Sequence, residues 1–177
     1  VKGRAPRTGY DRDAFGPAWT DDVDVSGGHN GCDTRNDVLR QDLSAERLKP
    51  GTHGCVVVSG TLTDPYTGRT IAFARGQSTS SRVQIDHVVP LAEAWVSGAA
   101  GWSPDRREAF ANDLRELLAV DGPTNMSKGD GDPAAWRPRK GYQCSYARHW
   151  IAVKTTWHLA ADPSEVAGLR QMLGYCP

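Results

Sequence analysis

The chain of 177 residues has no formal net charge, since 21 Lys and Arg balance 21 Asp and Glu. That excludes a uniformly basic protein that coats nucleic acid through bulk charge, so an anionic partner would have to be met by local clusters. No apolar run approaches the roughly 20 residues that a bilayer span requires, so no membrane partner is expected. Internal repeats, low-complexity tracts and a glycine-rich phosphate loop are all missing, which removes solenoids and P-loop nucleotide binding. A signal peptide is missing too; the polar start V-K-G-R-A-P-R-T-G reads as the loose end of a processed protein. The four cysteines form no C-x-x-C pair.

What is present begins with those cysteines, an even set of Cys32, Cys55, Cys144 and Cys176. Four cysteines allow three connectivities, and sequential pairing is the expectation, each bridge closing a moderate loop worth about 3 kcal/mol. Secretion follows from that reading. The rival is a zinc site from His29, Cys32, His53 and Cys55, whose ligand types suit zinc but whose spacing is unusual.

Charge is unevenly spread. From Pro133 to Ala161 there is no Asp or Glu, while Arg137, Arg139, Lys140, Arg148 and Lys154 lie among Trp136, Tyr142, Tyr146, Trp150 and Trp157. Cations interleaved with rings suit contact with an opened strand, with Arg148 and Lys154 as phosphate contacts. Equally, the rings could be core and the charges a solvated face, because W-I-A-V-K-T-T-W has the periodicity of a half-buried element.

Taken in order, the first 28 residues read as an irregular wrap with Tyr10, Phe15 and Trp19 as anchors. Gly54 to Gly76 reads as a hairpin around D-P-Y-T-G, with Pro65 and Gly68 at the positions a turn favours, and its strands are expected to extend the sheet that carries the next one. Val83 to Val89 is β-branched and reads as a strand. L-A-E-A-W-V-S is a helix stopped by Gly98, with Glu93 facing water, and Ser103-Pro104 caps another. L-L-A-V-D is a second strand and P-T-N-M-S-K opens a further helix. Asp162, Pro163, Glu165 and Gly174 bound the last helix, with Glu165 completing a capping box.

The chemistry centres on Asp86 and His87, adjacent at the end of an apolar strand. Side chains alternate across a strand, so a bulge or a strand end is needed for both to serve one place. Asp86 and the amide oxygen of Asn125 are the hard oxygen donors that a Mg2+ ion takes from protein, with water and phosphate completing its shell. His87, with a reference pKa of about 6.5, is the natural acceptor of a proton from water, and activity should fall as pH drops through its pKa.

I-D-H-V-V-P-L, F-A-N-D-L-R-E-L-L-A-V and N-M-S-K-G-D together resemble the HNH nucleases of the His-Me finger (ββα-metal) superfamily, and within them the small secreted actinobacterial endonucleases. The resemblance implies an α+β fold: a single nuclease domain over 1–177 with a ββα core at 82–136, an added N-terminal hairpin, and a basic, aromatic C-terminal segment and helix at 137–177. It further implies that Asp86 and Asn125 bind the metal, that His87 is the general base, and that Asn112 holds the loop and orients His87 through its backbone. Arg35 would lie near the site as a phosphate contact, and Lys128, one turn beyond Asn125, could reach the same phosphate. Asp and Asn at both metal positions favour Mg2+, with Mn2+ able to substitute, over zinc. The implied reaction is hydrolysis of DNA leaving 5′-phosphate and 3′-hydroxyl ends; contacts to phosphate and not to base edges make little sequence preference the expectation, and a monomer is expected. An RNase of the same fold is the nearest alternative; a nucleic-acid-binding module without catalysis, or a disulfide-stapled structural domain, are the others.

Overall fold

The computed structural model of the chain describes residues 2–177; Val1, where the expected wrap begins, lies outside them. An irregular N-terminal segment carrying a 3-10 turn at Arg12–Phe15 leads into helix α1 (Thr34–Asp42). Strands β1 (Leu43–Leu48), β2 (Val57–Thr63) and β3 (Thr70–Ala74) follow, then β4 (Val83–His87). Helices α2 (Leu91–Ser97) and α3 (Pro104–Ala111) separate β4 from β5 (Leu117–Asp121), which runs into α4 (Gly122–Lys128). Two longer helices, α5 (Gln143–Trp157) and α6 (Pro163–Leu173), close the chain. Antiparallel strands with helices grouped around them make the chain α+β. No helix among the described residues is long and apolar enough to cross a membrane.

Local signals account for most boundaries. Asp33, Ser103, Asp121 and Asp162 each accept a backbone N–H of the helix they start, and Pro lies in the first turn of α3, α4 and α6. Gly98, with φ of 144°, stops α2 in a conformation that a side chain would resist. Glu165 departs from expectation: it does not reach back to cap α6, but accepts from Trp150 Nε1 at 2.6 Å and Lys154 Nζ at 2.7 Å.

The strands divide differently from the sequence expectation. β1, β2 and β3 form one antiparallel sheet, and β4 pairs with β5 alone, so the hairpin does not extend the sheet that carries Asp86 and His87. Side chains connect the two. Asp64 in the β2–β3 turn accepts Asp121 N–H at 3.0 Å, and Tyr66 from the same turn donates to Asp86 Oδ2 at 2.5 Å. Val83 and Ile85 share a core with Val38 and Leu39 of α1 and with Leu62, Ile71 and Phe73 of the three-stranded sheet. The second core is built on rings: Phe15, Tyr66, Trp95, Phe110, Tyr146, Trp150 and Trp157.

That ring core corrects the reading of Pro133–Ala161. Tyr146, Trp150 and Trp157 are buried on α5, not held out for an opened strand. Lys154, expected to meet phosphate, is buried as well; its ammonium donates to Glu93 at 2.9 Å, Ser97 Oγ at 3.0 Å, Ala160 O at 2.8 Å and Glu165 at 2.7 Å. Glu93 therefore faces this network and not water. Cys32 is bridged to Cys55 and Cys144 to Cys176, the sequential pairing, with Cα separations of 5.1 and 5.0 Å. Cysteines consumed in a disulfide cannot be thiolate ligands, which closes the zinc alternative.

Candidate active site

β4 and β5 pair in regular antiparallel register, from Val83 opposite Asp121 to His87 opposite Leu117, with no bulge. Alternation puts Gln84 and Asp86 on one face of β4 and Val83, Ile85 and His87 on the other. Helix α4 lies on the Gln84–Asp86 face, and its Asn125 and Lys128, three residues apart, point the same way. Gly122 at the start of α4 makes that approach possible, since a Cβ there would overlap the Ser81 carbonyl. Asn125 Nδ2 donates to Gln84 Oε1 at 3.0 Å, leaving its Oδ1 as the open acceptor. Lys128 Nζ donates to Asp86 Oδ1 at 2.9 Å and to the His87 carbonyl at 2.8 Å.

His87 ends the strand, and this lets it share a cavity with Asp86 although the two leave the backbone on opposite faces. A polar cavity of about 230 Å³ is lined by Asp86, His87 and Asn125, with Gln84 and Arg12 beside them. His87 Nε2 lies 3.0 Å from the Ala111 carbonyl, so that nitrogen carries the proton and Nδ1 carries the lone pair. Trp19 stacks on the imidazole, with ring centroids 5.8 Å apart and 15° between planes. The buried His87 is pushed down to about 3, because removal from water outweighs the lift from Ala111, and the positive charges of Arg12 and Lys128 act in the same sense. The imidazole of the free protein is neutral across the physiological range. Burial raises Asp86, opposed by Lys128 and by the Tyr66 hydroxyl.

The loop between the strands is held from within. The Val88 N–H donates to the Glu116 carbonyl at 2.9 Å, and the Val89 N–H to the Glu116 carboxyl at 3.1 Å. Asn112 ends α3, its side chain donating to the Glu108 carbonyl at 3.0 Å. The carbonyl that meets His87 belongs to Ala111, one residue earlier than the residue expected to provide it. Asn112 Oδ1 is buried without a hydrogen-bond partner.

The expected phosphate contacts are not gathered here. Arg35 is half-buried and donates to the Val83 carbonyl at 3.1 Å, tying α1 to the start of β4; burial and the nearby Arg75 lower its pKa. Lys128 is buried against Asp86 and has no exposed ammonium to offer. Arg148 is exposed on α5 and lines neither this cavity nor the one beside it. Sequence reasoning missed Arg12, Trp19, Gln84 and Tyr66. Arg12 and Trp19 lie in a segment that gave no signal beyond an aromatic anchor, and Tyr66 was read only as part of a turn.

The donor set fits a hard divalent cation. Asp86 has one hydrogen bond on each oxygen, a carboxylate has about four lone-pair sites, and Asn125 Oδ1 is an oxygen donor lining the same cavity. No group of three or more His, Cys, Asp or Glu placed to hold a metal occurs among the described residues. A Mg2+ ion commonly takes one or two protein oxygens and keeps its remaining positions for water and phosphate.

Comparison with known proteins agrees with this geometry at the level of family. The chain is similar over 99% of its length, at 40% identity, to a protein of Arthroderma benhamiae described as an uncharacterized secreted protein, of which the match covers 80%. Residues 33–169 match the family described as GmrSD restriction endonucleases, C-terminal domain. Most of the chain is spanned by that match, and so this protein belongs to the GmrSD C-terminal domain family, through which it is linked to the HNH and His-Me finger nucleases.

Proposed function

We propose that the protein is a metal-dependent endonuclease that hydrolyses DNA phosphodiester bonds with little sequence preference, and that it acts outside the cell as a monomer. The observation that supports this most is the convergence of Asp86, His87 and Asn125 on one cavity at the junction of β4 and α4. Two disulfides and a relative described as secreted support the extracellular setting.

In this reading His87 Nδ1 accepts a proton from water while Nε2 stays bonded to Ala111. The water oxygen bonds to phosphorus as the bond to the 3′ oxygen breaks, that oxygen takes a proton from solvent, and His87 returns its proton to solvent, giving 5′-phosphate and 3′-hydroxyl ends. A phosphate beside the imidazole raises its pKa through its negative charge, which strengthens the base when substrate is bound. Trp19 and Ala111 fix the ring, so that its lone pair is oriented before the water arrives. Asp86 and Asn125 would hold Mg2+ or Mn2+, which when bound stabilises the charge that develops on the phosphoryl oxygens. Lys128 keeps the Asp86 carboxylate in place and compensates its buried charge.

The test is incubation of the full chain with supercoiled plasmid and with total RNA, in Mg2+ and in EDTA, alongside His87→Ala. Metal-dependent nicking of plasmid, reduced by about 100-fold or more in His87→Ala, is the expected result. Faster loss of RNA than plasmid would reassign the substrate, and near-normal turnover by His87→Ala would remove His87 as the base.

A further inference from the structure

Arg12 to Trp19 belongs to the N-terminal stretch before residue 33, outside the family match. Within the fold this stretch is part of the site. Phe15 is buried against Phe110 and Trp95, at centroid distances of 6.2 and 6.4 Å, and fixes the 3-10 turn that carries Arg12. The Trp19 carbonyl accepts the Thr34 N–H at 3.2 Å, which ties the other end to α1. Between these anchors the Trp19 backbone has φ of 61°, a conformation that a bulky residue adopts only when its surroundings impose it, and its ring covers His87.

The segment encloses a second cavity, of about 380 Å³, on the side of His87 away from Asn125. Arg12, Phe15, Pro17, Trp19, His87 and Asn112 line it. The two cavities share Arg12, His87 and Leu91, so they meet across the imidazole. Arg12 is exposed at that junction, and its guanidinium forms no ion pair or hydrogen bond among the described residues. The cavity has the size of a small-molecule site, and its walls are mostly apolar, with Asp13 also in the lining.

We infer that this cavity is a nucleoside subsite. It takes one unstacked base next to the scissile phosphate, and Arg12 holds the phosphodiester at its entrance. The inference rests on the nuclease reading for the identity of the reacting phosphate. A nucleoside joined to a phosphate at His87 has to leave the imidazole on one side or the other, and the side away from the polar cavity is the one walled by rings. A mostly apolar slot with an exposed carboxylate residue, Asp13, in its lining suits a base face and an exocyclic amino group, and a guanidinium suits the phosphate oxygens. A base in a duplex has to leave its stack before it can enter, so the subsite selects single strands and frayed ends over intact duplex.

The test uses the full chain, Arg12→Ala, Arg12→Lys, Ala18→Trp and His87→Ala. Ala18 is an exposed lining residue, so a large ring there fills the cavity without touching the core. A fluorescein-labelled oligonucleotide is offered single-stranded and as a duplex, for cleavage in Mg2+ and for equilibrium binding in EDTA across a salt series. The wild type is expected to favour the single strand in both readouts, by about tenfold or more, and Ala18→Trp to erase that preference. Arg12→Ala is expected to weaken single-strand binding and lower the salt slope by about 0.7, with Arg12→Lys retaining the slope. If His87→Ala is inactive while Arg12→Ala and Ala18→Trp match the wild type, the subsite is wrong and the nuclease reading stands. If nothing is cleaved, the nuclease reading fails and binding decides: equal affinities for wild type, Arg12→Ala and Ala18→Trp overturn the subsite, and the expected losses uphold a site for an unstacked base and its phosphate without a scissile bond.

Discussion

At the scale of single residues, the site is governed by how few water contacts its polar groups retain. His87 is 8% exposed and Asp86 is 5% exposed, and their pKa values move in opposite directions because burial disfavours whichever form carries charge. The consequence for His87 can be measured without any reaction. Its imidazole C–H resonances, followed by NMR in the metal-free protein, are expected to stay unchanged from pH 8 to pH 5, because the protonated form is populated only near a pKa of about 3. A titration centred near the ordinary value of about 6.5 would mean that water reaches the ring freely. Glu116 is the other buried acid of the site. Burial raises it well above the carboxyl range, while the Val89 N–H and the Lys128 charge oppose that rise. With its folded pKa above its unfolded one, its contribution to stability is complete below the unfolded value and is lost as pH rises through the folded value. Glu116→Gln removes that titration, so the Tm of the wild type relative to the variant should fall as pH rises above the ordinary carboxyl value, at about 2–4 °C per kcal/mol; parallel Tm curves would refute it.

At the scale of elements, one buried ammonium joins three helices. Lys154 on α5 meets Glu93 on α2 and Glu165 on α6, and Arg4 brings the N-terminal strand of chain onto Glu93, Asp132 and Asp162. Lys154→Met keeps most of the stem but leaves Glu165 buried without its cation and Glu93 with Arg4 alone, which is expected to cost about 3–5 kcal/mol in urea unfolding. A loss below about 1 kcal/mol would show that the carboxylates had found water. Because Lys154, Glu93 and Glu165 line neither cavity at His87, that variant should lose stability while its plasmid cleavage, measured well below its Tm, keeps its metal dependence. The β4–β5–α4 unit is local in a different way: its two strands are separated by α2 and α3, yet the Val88 and Val89 N–H bonds to Glu116 close the gap.

At the scale of the whole molecule, zero net charge and a concentrated site coexist because acids and bases balance over the chain while several cations expected at the site are used inside the fold. Of the basic residues expected on a nucleic-acid face, Lys128 and Lys154 are buried in ion pairs and Arg35 holds a strand. Among the described residues, the cation that lines both cavities at His87 without a partner is Arg12, from the N-terminal side of the chain. Long-range attraction for DNA is therefore expected to be weak and local contacts decisive, so plasmid cleavage should fall as salt rises with a shallow slope, about 0.9 for each phosphate neutralised. A slope of several such units would reveal a basic surface elsewhere, with Arg148 on α5 the first place to substitute.

Short-range chemistry made much of this protein legible from its residues. Asp33, Ser103, Asp121 and Asp162 act within one turn of their own positions, the D-P-Y-T-G turn closes on itself, and Asp86, His87 and Asn125, singled out by their ordered spacing, line one cavity. Which groups would be consumed as partners was not legible, because those choices are made across long separations. Tyr66 reaches Asp86 over 20 residues, Lys128 over 42, and Lys154 meets Glu93 over 61. Only packing decides such encounters: a buried charge must be paired, and the fold determines which opposite charge is close enough. The same holds for the carbonyl of Ala111 on His87 and for Trp19 over the imidazole. The residues alone determined what chemistry this chain can carry, and the tertiary structure decided which side chains are left free to carry it.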